Sequence, residues 1–392
     1  MKKGWKLEKL GDVCEIIMGQ SPNGKSYNSI GKGVPLINGP VEFSNGSFGE
    51  TIRSKFTTQP TKLCKEGDLI LCVRGSTTGR MNIAGFDACI GRGVAAIRAK
   101  QFQPWINHFV SSKRNEIHGK GTGATFPNVS GTMLANFELL MPPLPEQQRI
   151  VAILNEAFEA IAAARANAEQ NRQNARALFE SYLQSVFSQP GDGWRDSGNV
   201  LSSMCELIVD CEHKTAPTQD EGFPSIRTPN IGKGKLLLDN VKRVSEETYL
   251  AWTRRAVPLP GDLIFAREAP AGNVAVVPDG LQPCLGQRTV LIRPKKESFD
   301  SLFLTYLLLS PSMQEHLLSH SKGATVQHIN MKDIRALRLG CIPPIREQRE
   351  LARRITDCSM YFERLESLYQ RKIAALDELK QSLLQQAFSG QL

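Results

Sequence analysis

The 392 residues contain no run of eighteen apolar side chains, so no membrane-spanning helix is expected. Met1-Lys2-Lys3-Gly4-Trp5 has the charges of a secretory leader, but no apolar stretch follows. A soluble, cytoplasmic protein is therefore expected. Cysteine occurs nine times and never as Cys-x-x-Cys, a dispersal that argues for reduced, buried thiols and against a disulfide framework. Cys211-Glu212-His213 is the one close Cys/His grouping, with no second pair at zinc-finger spacing, so no metal site is expected.

Catalytic signatures are missing too. No Gly-x-Ser-x-Gly elbow occurs. Gly119-x-Gly121-x-Gly123 follows a helical stretch and lacks a Gly-Lys-Ser/Thr ending, so it does not read as a phosphate loop. Asp196 with Glu212-His213-Lys214 only faintly imitates the carboxylate spacing of a metal-dependent nuclease. The two Pro-Pro sites are Met141-Pro142-Pro143-Leu144 and Ile342-Pro343-Pro344-Ile345, neither an Asn/Asp-Pro-Pro-aromatic methyltransferase tetrapeptide. Acidic residues are the minority charge, 39 against 48 Lys+Arg, and the formal net charge of +9 favours an anionic partner, nucleic acid first. With 41% hydrophobic residues the chain has ample material for packed cores and a soft prior of two or three domains.

What is present is a duplication. The same displacement of 201 residues separates Pro142 from Pro343, Glu146 from Glu347 and Phe187 from Phe388. Between these marks a stripe alternating by three and four runs through Ile150, Leu154, Ala157, Ile161, Ala164, Ala168, Asn171, Ala175, Leu178, Tyr182 and Ser185. Its counterpart 201 residues on is Leu351, Ile355, Cys358, Phe362, Leu365, Tyr369, Lys372, Leu376, Leu379, Leu383 and Gln386. Such a stripe is what a coiled-coil seam requires, and it predicts two helices of roughly 60 Å at 1.5 Å per residue. The Ala-rich seam could face the one with larger side chains. Asn171 and Lys372 either set its register or face solvent.

The regions before each helix repeat more loosely. Gly4-Trp5-Lys6 is echoed by Gly193-Trp194-Arg195, and Gly33 to Ile37 by Gly222 to Ile226. Gly67-Asp68-Leu69-Ile70 returns as Gly261-Asp262-Leu263-Ile264, Cys89-Ile90-Gly91 as Cys284-Leu285-Gly286, and Gly123-Ala124-Thr125 as Gly323-Ala324-Thr325. The offset drifts from 189 at the Trp positions to 194 at the Gly-Asp pairs, 195 at the cysteines and 200 at the Gly-Ala-Thr sites. Framework elements match while the loops between them change, which is how one fold comes to recognise two things. In the first copy, strands are expected at residues 14–18, 69–73, 81–84, 94–98 and 137–141, with a helical stretch over 104–118.

The doubled, ordered set (Gly-Trp, Leu10-Gly11-Asp12-Val13, Gly-Asp-Leu-Ile, Pro-Pro-x-x-Glu-Gln) resembles the specificity subunit of a type I restriction-modification enzyme over the whole chain. The resemblance implies an α/β (α+β) chain with two tandem target-recognition globules, residues 1–144 and 190–345. Each is followed by a spacer helix, 145–189 and 346–392, and the two helices form an antiparallel coiled coil. It further implies that each globule reads half of a split site in double-stranded DNA while the helices set the gap and dock two methyltransferase subunits. S-adenosylmethionine, ATP and Mg²⁺ would belong to partner subunits, with none in this chain, and restriction subunits can join the complex. A helix pair of roughly 60 Å is compatible with half-sites about one DNA turn, about 34 Å, apart. The competing readings are a standalone DNA methyltransferase or nuclease and a coiled-coil scaffold without DNA binding.

Base reading needs Arg, Lys, Asn or Gln in a groove, whereas phosphate contacts only position. Candidates in the first globule are Lys25, Asn38 and Asn45; Arg74, Ser76, Thr77, Thr78 and Arg80 after Gly-Asp-Leu-Ile; Arg92 after the cysteine motif; and Lys120, Thr122 and Thr125 in the glycine-rich loop. In the second they are His213 and Lys214; Arg227, Asn230, Lys233 and Lys235; Arg267 and Glu268; Gln287 and Arg288; and Lys322, Thr325, Gln327 and His328. Arg92 corresponds to Gln287, as expected if the halves read different sequences.

Overall fold

A computed structural model describes residues 4–46, 48–120, 128–196, 198, 200–319 and 328–392, apart from the Lys120 side chain. The chain separates into two units, residues 1–168 with 371–392, and residues 169–370.

In the first unit, strands β1 (Lys6–Lys9), β2 (Cys14–Met18), β3 (Val34–Ile37), β4 (Leu69–Cys72), β5 (Met81–Ile83), β6 (Ala88–Ile90) and β7 (Val94–Ala99) precede helices α1 (Gln103–Ser112) and α2 (Arg114–Lys120). Strand β8 (Glu138–Met141) and the long helix α3 (Leu144–Ser188) follow. The expected single helix over 104–118 is interrupted at Lys113. A four-stranded antiparallel sheet has the order β2-β7-β4-β5, and β8 pairs with β1, Lys6 opposite Met141. In β4 alternate side chains leave on opposite faces. Leu69 and Leu71 join Trp105, Phe109, Ile150 and Leu154 in one core, while Ile70 and Cys72 join Ile37, Ile90 and Ala96 in another. A strand covered on both sides must be apolar at every position, which is why 69–73 reads as a continuous run.

The second unit repeats this plan. Its strands are β9 (Arg195–Asp196), β10 (Cys205–Asp210), β11 (Phe223–Ile226), β12 (Leu263–Ala266), β13 (Val274–Val276), β14 (Cys284–Leu285) and β15 (Thr289–Pro294). Helices α4 (Ser301–Leu309) and α5 (Pro311–Ser319), strand β16 (Cys341–Ile342) and the long helix α6 (Ile345–Ser389) complete it. The antiparallel order is β10-β15-β12-β13, and β9 pairs with β16. Each unit also has a parallel strand pair, with Leu36 opposite Cys89 in the first and Ser225 opposite Cys284 in the second. Glycine follows there because β3 and β11 pass close by: a Cβ on Gly91 would lie 1.9 Å from Asn38 Oδ1, and one on Gly286 lies 2.8 Å from the Ile226 carbonyl.

The repeated polar motifs are fasteners. Asp68 accepts from Arg98 Nε and Nη2 at 2.8 Å each and from the Lys65 amide at 2.8 Å. Asp262 accepts from Arg293 at 2.8 and 2.7 Å and from the Leu259 amide at 2.8 Å. These bidentate, charge-assisted pairs raise both guanidinium pKa values, chiefly through the carboxylate hydrogen bonds. The glutamine of Pro-Pro-x-x-Glu-Gln is buried and turns back on its own turn: Gln147 Nε2 donates to Pro142 O at 2.8 Å and Gln348 Nε2 to Pro343 O at 3.0 Å. It thereby satisfies a carbonyl at the entrance of each long helix.

The long helices run antiparallel within each unit. In the first, Arg165 pairs with Asp377 at 3.2 Å and Lys380 Nζ lies 4.9 Å above the Phe158 ring centroid. In the second, Arg172 Nη1 donates to Gln370 at 2.9 Å, Arg176 pairs with Glu366, and Phe179 meets Phe362 at 5.9 Å between centroids. Each step forward along α3 is a step back along α6. Ile150, Leu154, Ile161 and Ile355 are buried, and Tyr182, Leu351, Phe362, Leu365, Tyr369, Leu376 and Leu383 are partly buried.

Two expected seam positions are corrected. Leu178 is 58% exposed and Leu379 48% exposed; the buried face passes instead through Ala175, Phe179 and Leu183, and through Ile373 and Leu384. Both lie four heptads from the start of their stripes. A helix of 3.6 residues per turn drifts about 20° per heptad from a strict seven-residue repeat, so four heptads displace the stripe by nearly one residue. Asn171 and Lys372 are exposed, so they face solvent.

Candidate nucleic-acid interface

The sequence-derived candidates fall in distinct places. In the first unit, Arg74 and Arg92 are exposed and line one open groove of about 580 Å³ with Ser21, Tyr27 and Asn38. Tyr27 and Ser21 carried no sequence signal: Tyr27 is placed by antiparallel pairing with Thr57, and Ser21 Oγ accepts from the Arg92 amide at 3.2 Å. Ser76, Thr78 and Arg80 line a different cleft, of about 870 Å³, with Arg114, Asp377 and Lys380. Thr78 is buried and its Oγ1 donates to Gly75 O at 2.8 Å, a turn-forming bond. Thr77 is partly buried beside it, and Lys25 is exposed. The side chain of Lys120 and residues Thr122, Thr125, Lys322, Thr325 and Gln327 lie outside the described residues.

Gly19-Gln20-Ser21-Pro22-Asn23-Gly24-Lys25-Ser26 satisfies the written spacing of a nucleotide-binding phosphate loop, but not its structure. The segment follows β2 and ends in a three-residue turn, Gly24–Ser26, where a phosphate loop needs a helix. Ser26 Oγ is within hydrogen-bonding distance of Asn23 O at 2.6 Å and Thr57 Oγ1 at 2.7 Å, so the hydroxyl that would bind a cation is already engaged.

In the second unit the equivalent region is a closed polar network. Arg267, 9% exposed, donates to Asp210 Oδ2 at 2.7 Å, to Ile329 O at 3.0 Å and to His328 Nε2 at 2.9 Å. A guanidinium only donates, so His328 Nε2 accepts and the ring proton sits on Nδ1, which gives it to Glu268 Oε1 at 2.8 Å. Glu268 Oε2 in turn pairs with Arg288 Nη1 at 2.8 Å. Gln287 Nε2 donates to His213 O at 3.3 Å. Arg267 and His328 are thus positioning groups, while Gln287, Arg288 and His213 form the rim. Lys233 and Lys235 pair with Glu180 of α3 at 2.9 Å and Glu363 of α6 at 2.7 Å, fastening their loop to the helices. Arg227 is exposed at the end of β11.

Among the described residues no group of three or more His, Cys, Asp or Glu side chains is placed to hold a metal ion, and no helix is long and apolar enough to cross a membrane. All nine cysteines are free thiols. Burial pushes Cys14, Cys64 and Cys205 up to about 12.

The family model of the type I restriction modification DNA specificity domain matches residues 2–170 and again residues 212–372. The chain belongs to this family. It is a specificity subunit with two tandem DNA specificity domains. It is 22% identical over 424 residues to the type I restriction enzyme EcoBI specificity subunit of Escherichia coli, covering 99% of this chain and 86% of that one. It is 24% identical over 432 residues to the EcoKI specificity subunit of Escherichia coli, covering 100% and 90%. The putative type I restriction enzyme MjaX specificity subunit of Methanocaldococcus jannaschii is 33% identical over 184 residues, 46% of this chain and 42% of that relative. Among solved structures, a chain from work on complex assembly and conformational transition of the type I R-M system matches with TM-score 0.78 at 21% identity, covering 100% of this chain and 99% of that one. The HsdS subunit of Thermoanaerobacter tengcongensis matches with TM-score 0.56 at 21% identity, covering 100% and 98%. The specificity-subunit fold therefore extends over the whole chain.

Proposed function

We propose that each domain of this specificity subunit reads one half of a split site in double-stranded DNA, and that the helix pair fixes the gap between the halves and docks two methyltransferase subunits. In this reading the chain is non-catalytic and cytoplasmic. Partner subunits carry S-adenosylmethionine for adenine methylation, and restriction subunits bring ATP and Mg²⁺. The observation that carries the proposal is one framework built twice, with strand order, fasteners and parallel pairing repeated while the groove residues differ. A shared scaffold with different loops suits recognition of two sequences. The dispersed thiols, seven of the nine buried, agree with a reducing compartment.

The test is to co-express the chain with the methyltransferase subunits of its system and map modified adenines by single-molecule sequencing. A split motif methylated on both strands is expected. Methylation or cleavage by the purified chain alone would replace this reading with the enzyme one. Binding by the complex should weaken steeply with salt, because neutralised phosphates release counterions; a flat dependence of log K on log salt would leave only the scaffold reading.

A further inference from the structure

The two domains differ most sharply in charge at one equivalent place, the ends of the central strand pair. In the first domain, β4 and β7 pair with Cys72 opposite Val94, and the Val73 amide donates to Gly93 O at 2.9 Å. Beyond this the chain turns through Arg92 and Gly93, the Val94 amide donating to Gly91 O at 3.1 Å, and Arg74 forms an isolated antiparallel bridge with Asn128, so the two arginines sit at the end of the strand pair. Among the described residues neither guanidinium has a hydrogen-bond or ion-pair partner, and both line the 580 Å³ groove with Asn38 and Ser21. In the second domain Ala266 is opposite Thr289, and the Arg267 amide donates to Arg288 O at 2.9 Å. The equivalent pair there is Glu268 and Gln287, and Glu268 holds Arg288. One domain leaves two cationic forks uncompensated where the other has neutralised its charge.

We propose that Arg74 and Arg92 read guanine in the half-site engaged by the first domain, and that the second domain has no guanine-reading counterpart at this place. The inference rests on the DNA-reading function proposed above and adds to it a base and two residues. Guanine presents two adjacent acceptors, N7 and O6, in the major groove, and the planar guanidinium matches them with two parallel donors. Two such forks lining one groove offer paired donors to planar acceptors, which a point charge does not.

The test uses the full-length chain in complex with its methyltransferase subunits. Randomised DNA duplexes are selected for binding and sequenced, for the parent and for Arg92→Gln and Arg74→Gln. The expected result is a preference for guanine, in one half-site only, that falls about ten-fold or more in each variant, while the other half-site is read unchanged. The unchanged half-site also reports that the variant is folded. Uniformly weaker binding across all sequences, with the salt slope reduced by about one, would make the two arginines phosphate contacts and overturn the inference while leaving the DNA-reading function intact. An unaltered preference in both variants would overturn it as well. A parent complex with no sequence preference at all would instead overturn the proposed function itself.

Discussion

At the scale of single residues, the motifs that identify the repeat are distinct from the groups that face the grooves. The buried Asp68 and Asp262 are engaged by arginine forks, and Gln147 and Gln348 by the turns before the long helices. His108 in the first unit is a further buried group that faces no groove. It lies between the Phe48 and Phe158 rings, and its Nε2 meets Asn155 Oδ1 at 2.9 Å. Burial holds its pKa below the ordinary 6.5; the Asn155 bond opposes this and the Lys380 charge adds to it. As the pH falls below about 6.5 the unfolded chain takes up a proton that the folded unit refuses. The stability His108 confers is therefore complete above 6.5 and is lost as the pH falls through the lower folded value. Denaturation of the chain should show the first unit weakening below pH 6.5, with strands β4 and β7 losing hydrogen-exchange protection. In His108→Phe, which keeps the aromatic contacts and removes the titration, that acid loss should shrink. An acid profile identical to the parent's would remove His108 from this role.

At the scale of elements, the seam shows both the reach and the limit of sequence reading. The repeat at 201 residues places both helices, and the apolar runs 69–73 and 94–97 find two strands that are covered on both faces. What the sequence does not carry is the drift of a helix against a fixed heptad. Leu178 and Leu379 continue a numerical pattern and end in solvent, because the pattern takes no account of 3.6 residues per turn. The groove was half legible for a related reason: Arg74 and Arg92 are marked by the motifs beside them, whereas Tyr27 is brought there by pairing with Thr57 and Ser21 by a hydrogen bond from the Arg92 amide. Lys233, Lys235 and Arg267 look like DNA-facing cations in sequence, and only the fold reveals the carboxylates beside them. The corrected seam has a direct test. Leu178→Gln should change stability by less than about 0.5 kcal/mol, as for a surface site. Leu183→Ala, at a position 2% exposed, should cost about 2–4 kcal/mol in urea denaturation. Equal costs at the two positions would restore the strict heptad.

At the scale of the whole molecule, each unit is assembled from three parts of the chain: a globule, the opening turns of the helix that follows it, and the closing turns of the other helix. Phe187, at the end of α3, packs on Phe303 of the second unit, with ring centroids 5.5 Å apart. Phe388, at the end of α6, packs on Trp105 and Phe109 of the first unit at 4.7 and 5.5 Å, and Leu384 and Ala387 are buried in the same core. Residues 346–392, expected from the sequence as the second spacer helix, also belong to a core, because the last turns of α6 complete that of the first unit. Phe388→Ala should therefore destabilise the first unit by about 3 kcal/mol, the low end for a large aromatic, since Phe388 is only partly buried. The substituted residue follows the second globule in sequence, so the location of the damage is the informative measurement. Hydrogen exchange should accelerate in β4 and β7 while β12 and β15 keep their protection. Loss of protection centred on β12 and β15 would mean that the end of α6 supports the globule it follows, contrary to the packing of its aromatic ring.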